Sequence, residues 1–141
     1  MLLSLGCKSN KKAIDKTNNF LDANTYQLYD ISKDAKYAYT QGTPIKVGGH
    51  NKNEGPLNQR RYLNALLGSN GETIHFKHIK SCCYKKIKTT GGNLQLTYLD
   101  QYEISLEGKQ QRFIIFLSMF EKDDDLLAPR GFTFKTPLSM K

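Results

Sequence analysis

One stretch of the chain, HFKHIKSCCYKKIK at residues 75–88, concentrates the side chains that could perform chemistry. It holds two histidines, an adjacent pair of cysteines and five lysines, and it contains no carboxylate. Imidazoles and thiolates are common protein ligands of zinc and copper, and a thiolate is also a nucleophile and a redox group. Three interpretations therefore compete for this stretch: a metal site, a reactive cysteine centre and a structural cysteine pair.

The metal interpretation requires the side chains of His75, His78, Cys82 and Cys83 to converge on one point. Residues three positions apart on a β-strand point to opposite faces, so the two histidines would diverge. The order of the four residues also lacks the C-x-x-C spacing that is typical of zinc sites. The sequence therefore predicts no metal and no other cofactor, and His75 and His78 are the residues on which that prediction is tested.

Cys82 and Cys83 could instead form a nucleophilic or redox centre. Lys80, Lys85 and Lys86 lie close to them in the sequence, and neighbouring cations favour the reactive thiolate form of a cysteine. The chain has no C-x-x-C motif, however, and a disulfide between adjacent cysteines is strained. Outside the cytoplasm, the two cysteines would either pair with each other or stay buried as small apolar residues. The sequence favours this structural interpretation, with burial of one cysteine at a strand end, over cysteine chemistry.

Asp100 is the one polar residue among the even positions of NLQLTYLDQYEISL at residues 93–106. Tyr98 and Tyr102 flank it on the same predicted face. A buried carboxyl group can be functional, so Asp100 joins Cys82 and Cys83 as a catalytic candidate. The prediction nevertheless favours a structural role, in which a nearby lysine, arginine or backbone amide satisfies the carboxylate.

The chain is basic, with a formal net charge of +8 and a pI near 9.4. Such a balance is compatible with an anionic membrane surface or with nucleic acid. Only four of the 21 cationic residues are arginines, which phosphate and base readers prefer, and no nucleic-acid-binding motif is present. The sequence therefore favours a solvated basic surface over a nucleic-acid partner. Arg60 and Arg61 near a predicted helix start, with Lys46 and Lys52, could accept an anionic ligand.

These residues would be positioned by a small sheet and one helix. The even-position pattern of residues 93–106 predicts a half-buried strand, and RFIIFLSMF after it predicts a central strand paired with the first in a hairpin. NEGPLNQRRYLNALLG predicts a helix with Pro56 at its first position, Gly68 as C-cap, and an apolar stripe of Leu63, Leu66 and Leu67.

Shorter strands are predicted at four further places: Tyr37–Tyr39, Ile45–Val47, Ile74–Ser81 and Phe132–Phe134. No repeat interrupts the chain, and no segment approaches the roughly 20 apolar residues of a membrane-spanning helix. The sum of these elements predicts an α+β fold, with an antiparallel sheet of about four to six strands and one main helix packed on it.

The first residues, MLLSLGCKSNKK, change abruptly from apolar to basic. Leu-Ser-Leu-Gly-Cys resembles the lipobox of bacterial lipoproteins, in which the cysteine is acylated; this would make Cys7 the lipidation site. Ser4 stands where that pattern prefers an aliphatic residue, and we expect further apolar sequence upstream of Met1. The predicted organisation is a signal remnant at residues 1–7, a flexible linker at 8–24 and a single α+β domain at 25–141.

Four motifs in order, YTQGTPIKVGG, GPLNQRRYLNALLG, KSCCYKK and YLDQYEISLEGKQQRFIIFLSMF, together resemble a family of small, mostly uncharacterised lipoproteins from Bacteroidota. The resemblance covers about residues 37–120 and implies a lipid-anchored location in the bacterial cell envelope, in the periplasm or at the outer membrane. It marks these positions for a possible functional role: Lys46, Gly48, Gly49, Arg60, Arg61, Asn64, Ser81, Cys82, Cys83, Asp100 and Glu103.

Some members of that family carry the name 2-dehydro-3-deoxyphosphooctonate aldolase. Such an aldolase resembles a (β/α)₈ barrel, which needs roughly 200 residues or more, and alternating β/α units are absent from this sequence. We therefore expect a non-catalytic binding module, attached to the membrane by its lipid and binding a protein or an anionic small molecule. Its ligand-binding candidates are Lys46, Arg60, Arg61, Asn64 and Glu103. The alternative is a small enzyme or redox protein centred on Cys82 and Cys83.

Overall fold

The computed structural model describes residues 19–138, so Cys7, the predicted signal remnant and most of the predicted linker lie outside the described residues. This part of the chain has an α+β fold, as predicted. Its strands in chain order are β1 (Phe20–Asp22), β2 (Thr25–Tyr26), β3 (Ile45–Lys46), β4 (Leu66–Gly68), β5 (Ile74–Lys88), β6 (Leu94–Leu106), β7 (Arg112–Ser118) and β8 (Phe132–Phe134). The α-helix, α1, spans Gly55–Asn64 and follows a short 3₁₀ turn at His50–Lys52.

The main sheet has four strands in the order β3-β7-β6-β5. The predicted hairpin of β6 and β7 is confirmed, and β7 is a central strand. The prediction of a purely antiparallel sheet is wrong at one edge, because β3 runs parallel to β7, with Ile45 opposite Leu117. Parallel pairing needs a long connection between the strands, and here the helix and the β5–β6 hairpin provide it.

Helix α1 begins where the sequence predicts and ends earlier. Pro56 occupies the first turn, where its missing N–H costs no hydrogen bond. The helix stops at Asn64, so Leu66 and Leu67 belong to β4 and not to the predicted apolar stripe. β4 pairs antiparallel with β8, with Leu66 opposite Phe134. A Leu-Leu-Gly sequence suits a helix end or a strand, and this pairing with distant residues decides between them.

The core lies between the helix and the sheet. Tyr62 and Leu63 from α1 are fully buried, as are Ile104, Ile115 and Leu117 from the sheet. In β6 the predicted alternation holds from Asp100 to Leu106, where the even positions are buried. This packed part of the sheet is therefore the layer that carries the buried polar residues described below.

The β5–β6 hairpin continues beyond the packed part. β7 pairs with β6 only as far as Asp100, which lies opposite Leu117. Residues 83–98, here called the arm, therefore extend past the end of β7, and their backbones pair only with each other. Leu94 and Leu96 on the arm are 67% and 55% exposed.

The predicted strand at Tyr37–Tyr39 is a turn. Ala38 has a φ of 77°, in the left-handed region that residues with a Cβ rarely adopt. Its N–H donates to the Thr43 carbonyl at 2.7 Å, and its carbonyl accepts from the Phe116 N–H at 2.8 Å. The backbone of Ala38 thus closes the turn and ties it to β7, which the local sequence does not indicate.

Described residues before the predicted domain boundary at residue 25 take part in the fold. β1, inside the stretch interpreted as linker, pairs with β2 in a small hairpin. Within residues 19–138, no helix combines the length and apolar character needed to cross a membrane.

Candidate functional site

Asp100 is the centre of a buried hydrogen-bond network between α1, β5 and β6. The residue is 4% exposed. The Ser81 hydroxyl donates to Oδ1 at 2.7 Å, and His78 Nε2 lies 2.9 Å from the same oxygen. The Gln59 amide donates to Oδ2 at 2.7 Å, and its carbonyl oxygen accepts from the Tyr102 hydroxyl at 2.8 Å. The partners of the carboxylate are thus a serine, a histidine and a glutamine side chain. The sequence predicts a lysine, an arginine or a backbone amide instead.

The residue types Ser81, His78 and Asp100 are those of a hydrolase triad, but their arrangement differs. In a triad the histidine lies between the serine and the acid, so that it can accept the hydroxyl proton. Here both the hydroxyl and the imidazole contact the same carboxylate oxygen, and the serine proton is committed to the acid. The arrangement stabilises the contact of β5 with β6 and does not activate Ser81 as a nucleophile.

Cys82 and Cys83 form a disulfide with each other. Of the alternatives that the sequence left open, the structure has this direct pairing, and both residues are half-buried. A β-bulge lies between Cys82 and Lys85, and Cys83 has a φ of 63°. A bulge and a left-handed backbone are departures from strand geometry that are frequent at functional sites. The Gln101 amide lies 3.3 Å from Cys82 Sγ, to which it donates a hydrogen bond.

Cys83 lines a cavity of about 220 Å³, here called the disulfide cavity. Two lysines, a glutamate and two aromatic rings also line it: Lys46, Lys85, Glu121, Tyr98 and Phe120. Neither Lys46 nor Lys85 is within ion-pair distance of a carboxylate of the described residues. Asp100 and Arg60 lie outside its wall, so the structure does not join Arg60, the cysteines and Asp100 in one pocket.

A second cavity, of about 390 Å³, shares Phe120 with the first and is here called the basic cavity. Its wall contains three cationic side chains, one histidine, one carboxylate and three aromatic rings: Lys52, Arg61, Lys122, His50, Glu54, Phe20, Tyr26 and Phe120. Glu54 lies 3.9 Å from Arg61. Lys52 and Lys122 form no ion pair within residues 19–138, which leaves the wall with an excess of positive charge.

The two glycines of PIKVGG let the chain approach the start of α1 at this cavity. Gly49 has a φ of 99°, and a Cβ there would lie 2.6 Å from Asn58 Nδ2. Gly48 has a φ of 68°, and a Cβ there would lie 2.9 Å from the Cβ of Lys122. Only glycine fits both the backbone conformation and the space. The pair therefore positions the 3₁₀ turn, and with it His50 and Lys52, on the cavity wall.

Arg61 and Asn64, both predicted ligand-binding residues, make structural contacts. Arg61 Nε donates to the Ala23 carbonyl at 2.9 Å, and Nη1 donates to Asn58 Oδ1 at 3.0 Å. Asn64 Nδ2 donates to the Asn24 carbonyl at 2.8 Å. Both side chains thus hold the β1–β2 hairpin against α1. Arg61 retains a second role, because it lines the basic cavity.

Tyr26 on the cavity wall illustrates the local electrostatics. Burial raises the pKa of its phenol, and the nearby Arg61 guanidinium opposes that shift by favouring the phenolate. Arg61 also lies over the Phe20 ring, 5.1 Å from its centroid. The aromatic side of the basic cavity is therefore held in place by the same arginine that contributes to its charge.

The remaining candidates lie apart from both cavities. Glu103 forms ion pairs with Lys77 at 3.5 Å and with Arg112 at 3.8 Å. Arg60 is exposed and lines neither cavity. Ion pairs with one side chain of β5 and one of β7 thus occupy the glutamate, and neither Glu103 nor Arg60 lines either cavity.

His75 and His78 have different carboxylate partners. His75 Nε2 lies 2.5 Å from Glu107, whereas His78 contacts the buried Asp100. Their cross-strand neighbours, Ser105 and Tyr102, lie on opposite faces of β6. The described residues contain no group of three or more histidine, cysteine, aspartate or glutamate side chains placed to hold a metal ion.

A third cavity, of about 380 Å³, was not indicated by the sequence. Phe20, Tyr26 and Tyr29 line it together with Asp30 and the acidic loop Asp123–Asp125. The sequence marks that loop as acidic, but it gives no sign that the N-terminal hairpin packs beside it. The sequence indicates only part of the basic cavity. Arg61 and Lys52 are candidates for anion binding, whereas Lys122 lies in a distant loop and is not predicted to join them.

The motifs that carry the family resemblance provide residues that line the disulfide cavity and the basic cavity. PIKVGG provides Lys46 and Gly49, the RR pair provides Arg61, and SCC provides Cys83. The resemblance itself stays a prediction. The chain matches no family model, no curated protein and no solved structure.

Proposed function

We propose that this chain is a lipid-anchored protein of the bacterial cell envelope whose folded domain binds an anionic small molecule in the basic cavity. One observation carries the binding part of the proposal: Lys52 and Lys122 line a cavity of about 390 Å³, and neither forms an ion pair with a carboxylate in the described part of the chain. A volume of this size is within the range of small-molecule sites, roughly 300–1,000 Å³.

The aromatic rings narrow the class of ligand. Phe20, Tyr26 and Phe120 offer apolar contact area, whereas the two lysines offer charged hydrogen-bond donors. A ligand that uses both has a compact anionic group, such as a phosphate or carboxylate, and a flat apolar group. We therefore take an aromatic phosphate as the probe for this site.

The binding test compares phenyl phosphate with benzyl alcohol, a neutral molecule of similar shape, by amide chemical-shift titration of the full-length chain. Phenyl phosphate is expected to shift the amides of residues 49–52 and of Lys122, and benzyl alcohol is not. Lys52→Ala and Lys122→Ala should each weaken phenyl phosphate binding by about tenfold, because each removes one charge-assisted contact.

The matched control is Lys33→Ala, which removes an exposed lysine that lines neither the basic cavity nor the disulfide cavity. It should leave the affinity for phenyl phosphate unchanged. Binding that responds equally to all three substitutions would reflect the net charge of the chain and would refute a specific site. Equal shifts with benzyl alcohol would refute an anionic ligand.

The anchor part of the proposal is supported by the lipobox-like sequence around Cys7, which lies outside the described residues. Its test is independent of the cavity. Mass spectrometry of the protein isolated from its native cells should find acyl chains on Cys7, and Cys7→Ser should move the protein from the membrane fraction to the soluble fraction. A free thiol at Cys7 in the native protein would refute the anchor and leave the binding test unaffected.

A second candidate, a thiol–disulfide redox protein, is favoured by the bonded pair at Cys82 and Cys83 on the wall of the disulfide cavity. A dithiol donor would attack one sulfur through its thiolate to form a mixed disulfide. The second thiolate of the donor would then attack the donor sulfur of the mixed disulfide. This step leaves Cys82 and Cys83 as two thiols and the donor as a disulfide, oxidised by two electrons. Titration with glutathione and thiol trapping should give one two-electron transition that Cys82→Ser abolishes. The absence of any such transition in the glutathione titration would refute this candidate.

A further inference from the structure

The arm carries three of the seven large apolar side chains that are exposed in the described residues. Tyr84, Leu94 and Leu96 are 60%, 67% and 55% exposed; the two leucines lie within the two-stranded ladder, and Tyr84 lies in the bulge of β5 beside it. Exposed leucines next to each other on a paired strand are unusual, because a folded chain normally covers such residues. These three residues therefore suggest a surface that contacts something else.

Cross-strand pairing places these residues on one face together with two lysines. Lys86 is directly opposite Leu96, and Lys88 is directly opposite Leu94; opposite residues of an antiparallel pair share a face. Tyr84 lies beside this face, because its ring is 5.5 Å from that of Tyr98, which follows Leu96 by two residues on β6. We call the set of Tyr84, Lys86, Lys88, Leu94 and Leu96 the outer face of the arm.

The charge around this face has one sign. No aspartate or glutamate occurs between Glu72 and Asp100, and this interval contains Lys77, Lys80 and Lys85 in addition to the two lysines of the outer face. Lys85, paired with Thr97, lies on the opposite side of the ladder, at the disulfide cavity. Both sides of the arm are thus cationic, and only the outer face combines cations with exposed leucines.

We propose that the outer face of the arm binds the surface of an anionic lipid bilayer. The leucines enter the boundary between headgroups and acyl chains, and Tyr84 lies at the same depth. Lys86 and Lys88 extend their ammonium groups to the lipid phosphates while their carbon chains remain against the apolar layer. The inference rests on the envelope location of the proposed function, since it requires an anionic membrane within reach of the domain.

The chemistry of the face argues against the other occupants. A second copy of the chain would bring two cationic faces together, which repel each other. Single-stranded nucleic acid is bound by stacking on aromatic rings, whereas this face presents two leucines for one exposed tyrosine. A bilayer surface is the partner that uses cationic and aliphatic groups side by side.

The test uses the full-length chain with Cys7→Ser, so that no acyl chain contributes to membrane binding. The protein is sedimented with vesicles of phosphatidylglycerol and phosphatidylethanolamine, and in parallel with vesicles of phosphatidylcholine alone. Binding is expected to the anionic vesicles and to weaken with added salt. Leu94→Ser/Leu96→Ser should lower the partition coefficient by about tenfold or more. Lys86→Gln/Lys88→Gln should lower it by about fivefold per lysine.

Matched controls are Leu138→Ser, at another exposed leucine, and Lys33→Gln/Lys36→Gln, at two exposed lysines far from the arm in sequence. Both should bind like the parent chain. Equal binding to both vesicle types, or equal losses in the arm and control variants, would overturn the proposal. The proposal would also be overturned if the parent chain did not bind vesicles and the arm substitutions instead abolished self-association or oligonucleotide binding. Because Cys7 is already replaced, none of these outcomes depends on the anchor. The arm substitutions are also independent of the phenyl phosphate site, because none of them changes a residue that lines the basic cavity.

Discussion

The two halves of β6 have the same sequence pattern and opposite environments. In the packed part, Tyr102, Ile104 and Leu106 occupy even positions and are buried. In the arm, Leu94 and Leu96 occupy even positions of the same strand and are exposed. The difference arises because the pairing of β7 with β6 ends at Asp100. The helix and β7 therefore cover only the half of β6 that follows Asp100. Alternation thus determines which residues share a face, and tertiary packing determines whether that face is covered.

Alkaline pH should have the largest effect on the free energy of unfolding, because it acts on several buried tyrosines together. Burial raises the pKa of Tyr37 and of Tyr102 from 10.0 to about 12. The unfolded chain loses these protons near pH 10, and the folded chain only near pH 12. The contribution of these tyrosines to the free energy of unfolding should therefore be fully present below pH 10 and should be lost between pH 10 and 12.

Urea unfolding at a series of pH values, with the ultraviolet absorbance of tyrosinate recorded on the native protein, checks this expectation. Tyr37→Phe should reduce the slope above pH 10, because it removes one of the shifted groups. Release of all tyrosine protons near pH 10, with no change in stability, would contradict the assignment of these residues to a closed core.

Substitutions at matched positions of β6 test the comparison directly. Ile104→Ala should lower the free energy of unfolding by about 2–5 kcal/mol, because it leaves a cavity in the core. Leu96→Ala on the same face of the arm should change it by less than about 0.5 kcal/mol. Both are measured by urea unfolding with circular dichroism. Similar losses for the two variants would mean that the arm is covered in solution.

Removing the buried acid should have a smaller effect than opening the core. Asp100→Ala leaves the Gln59 amide and the Ser81 hydroxyl without their acceptor, at a cost of about 1–3 kcal/mol. Asp100→Asn keeps one acceptor oxygen and should lose less. Equal losses in the two variants, measured as free energies of unfolding, would show that the negative charge and not the hydrogen bonding stabilises the site.

The disulfide should contribute least to global stability. Cys82 and Cys83 are adjacent, so their bond closes the shortest possible loop and restricts the unfolded chain little. Cys82→Ser/Cys83→Ser should change the free energy of unfolding by about 1 kcal/mol or less. Amide exchange in the arm should rise more than in the packed part of β6. A large loss of stability would give the pair a structural role that its position in the sequence does not explain.

Much of the fold follows from local pattern. The alternation in β6, the apolar run of β7 and Pro56 at the start of α1 each predict an element that the structure contains. The failures occur where two conformations suit the same residues. Leu66 and Leu67 could have continued the helix, and they form β4 because residues 132–134 pair with them. Tyr37–Tyr39 has strand propensity, and the contact of Ala38 with β7 makes it a turn.

The candidate site was predictable in its parts and not in its assembly. Adjacent cysteines, a basic arginine pair and a glycine pair are visible in the sequence, and so is the one acid in an apolar pattern. The sequence does not show that Asp100 contacts Gln59, 41 positions away, or that Lys122 and Lys52 line the same cavity. Such contacts depend on the path of loops, which local residue types specify weakly.

The sequence by itself determined the α+β class, the β6–β7 hairpin and the positions of the groups that could react or bind. These depend on hydrophobic periodicity and on backbone preferences, which act over a few neighbouring residues. Only the tertiary structure decided the parallel edge strand, the early end of α1, the disulfide in the bulge, the walls of the disulfide cavity and the basic cavity, and the exposure of the arm. These depend on which distant surfaces meet, because the free energy of burial is shared between segments that the chain brings together only on folding.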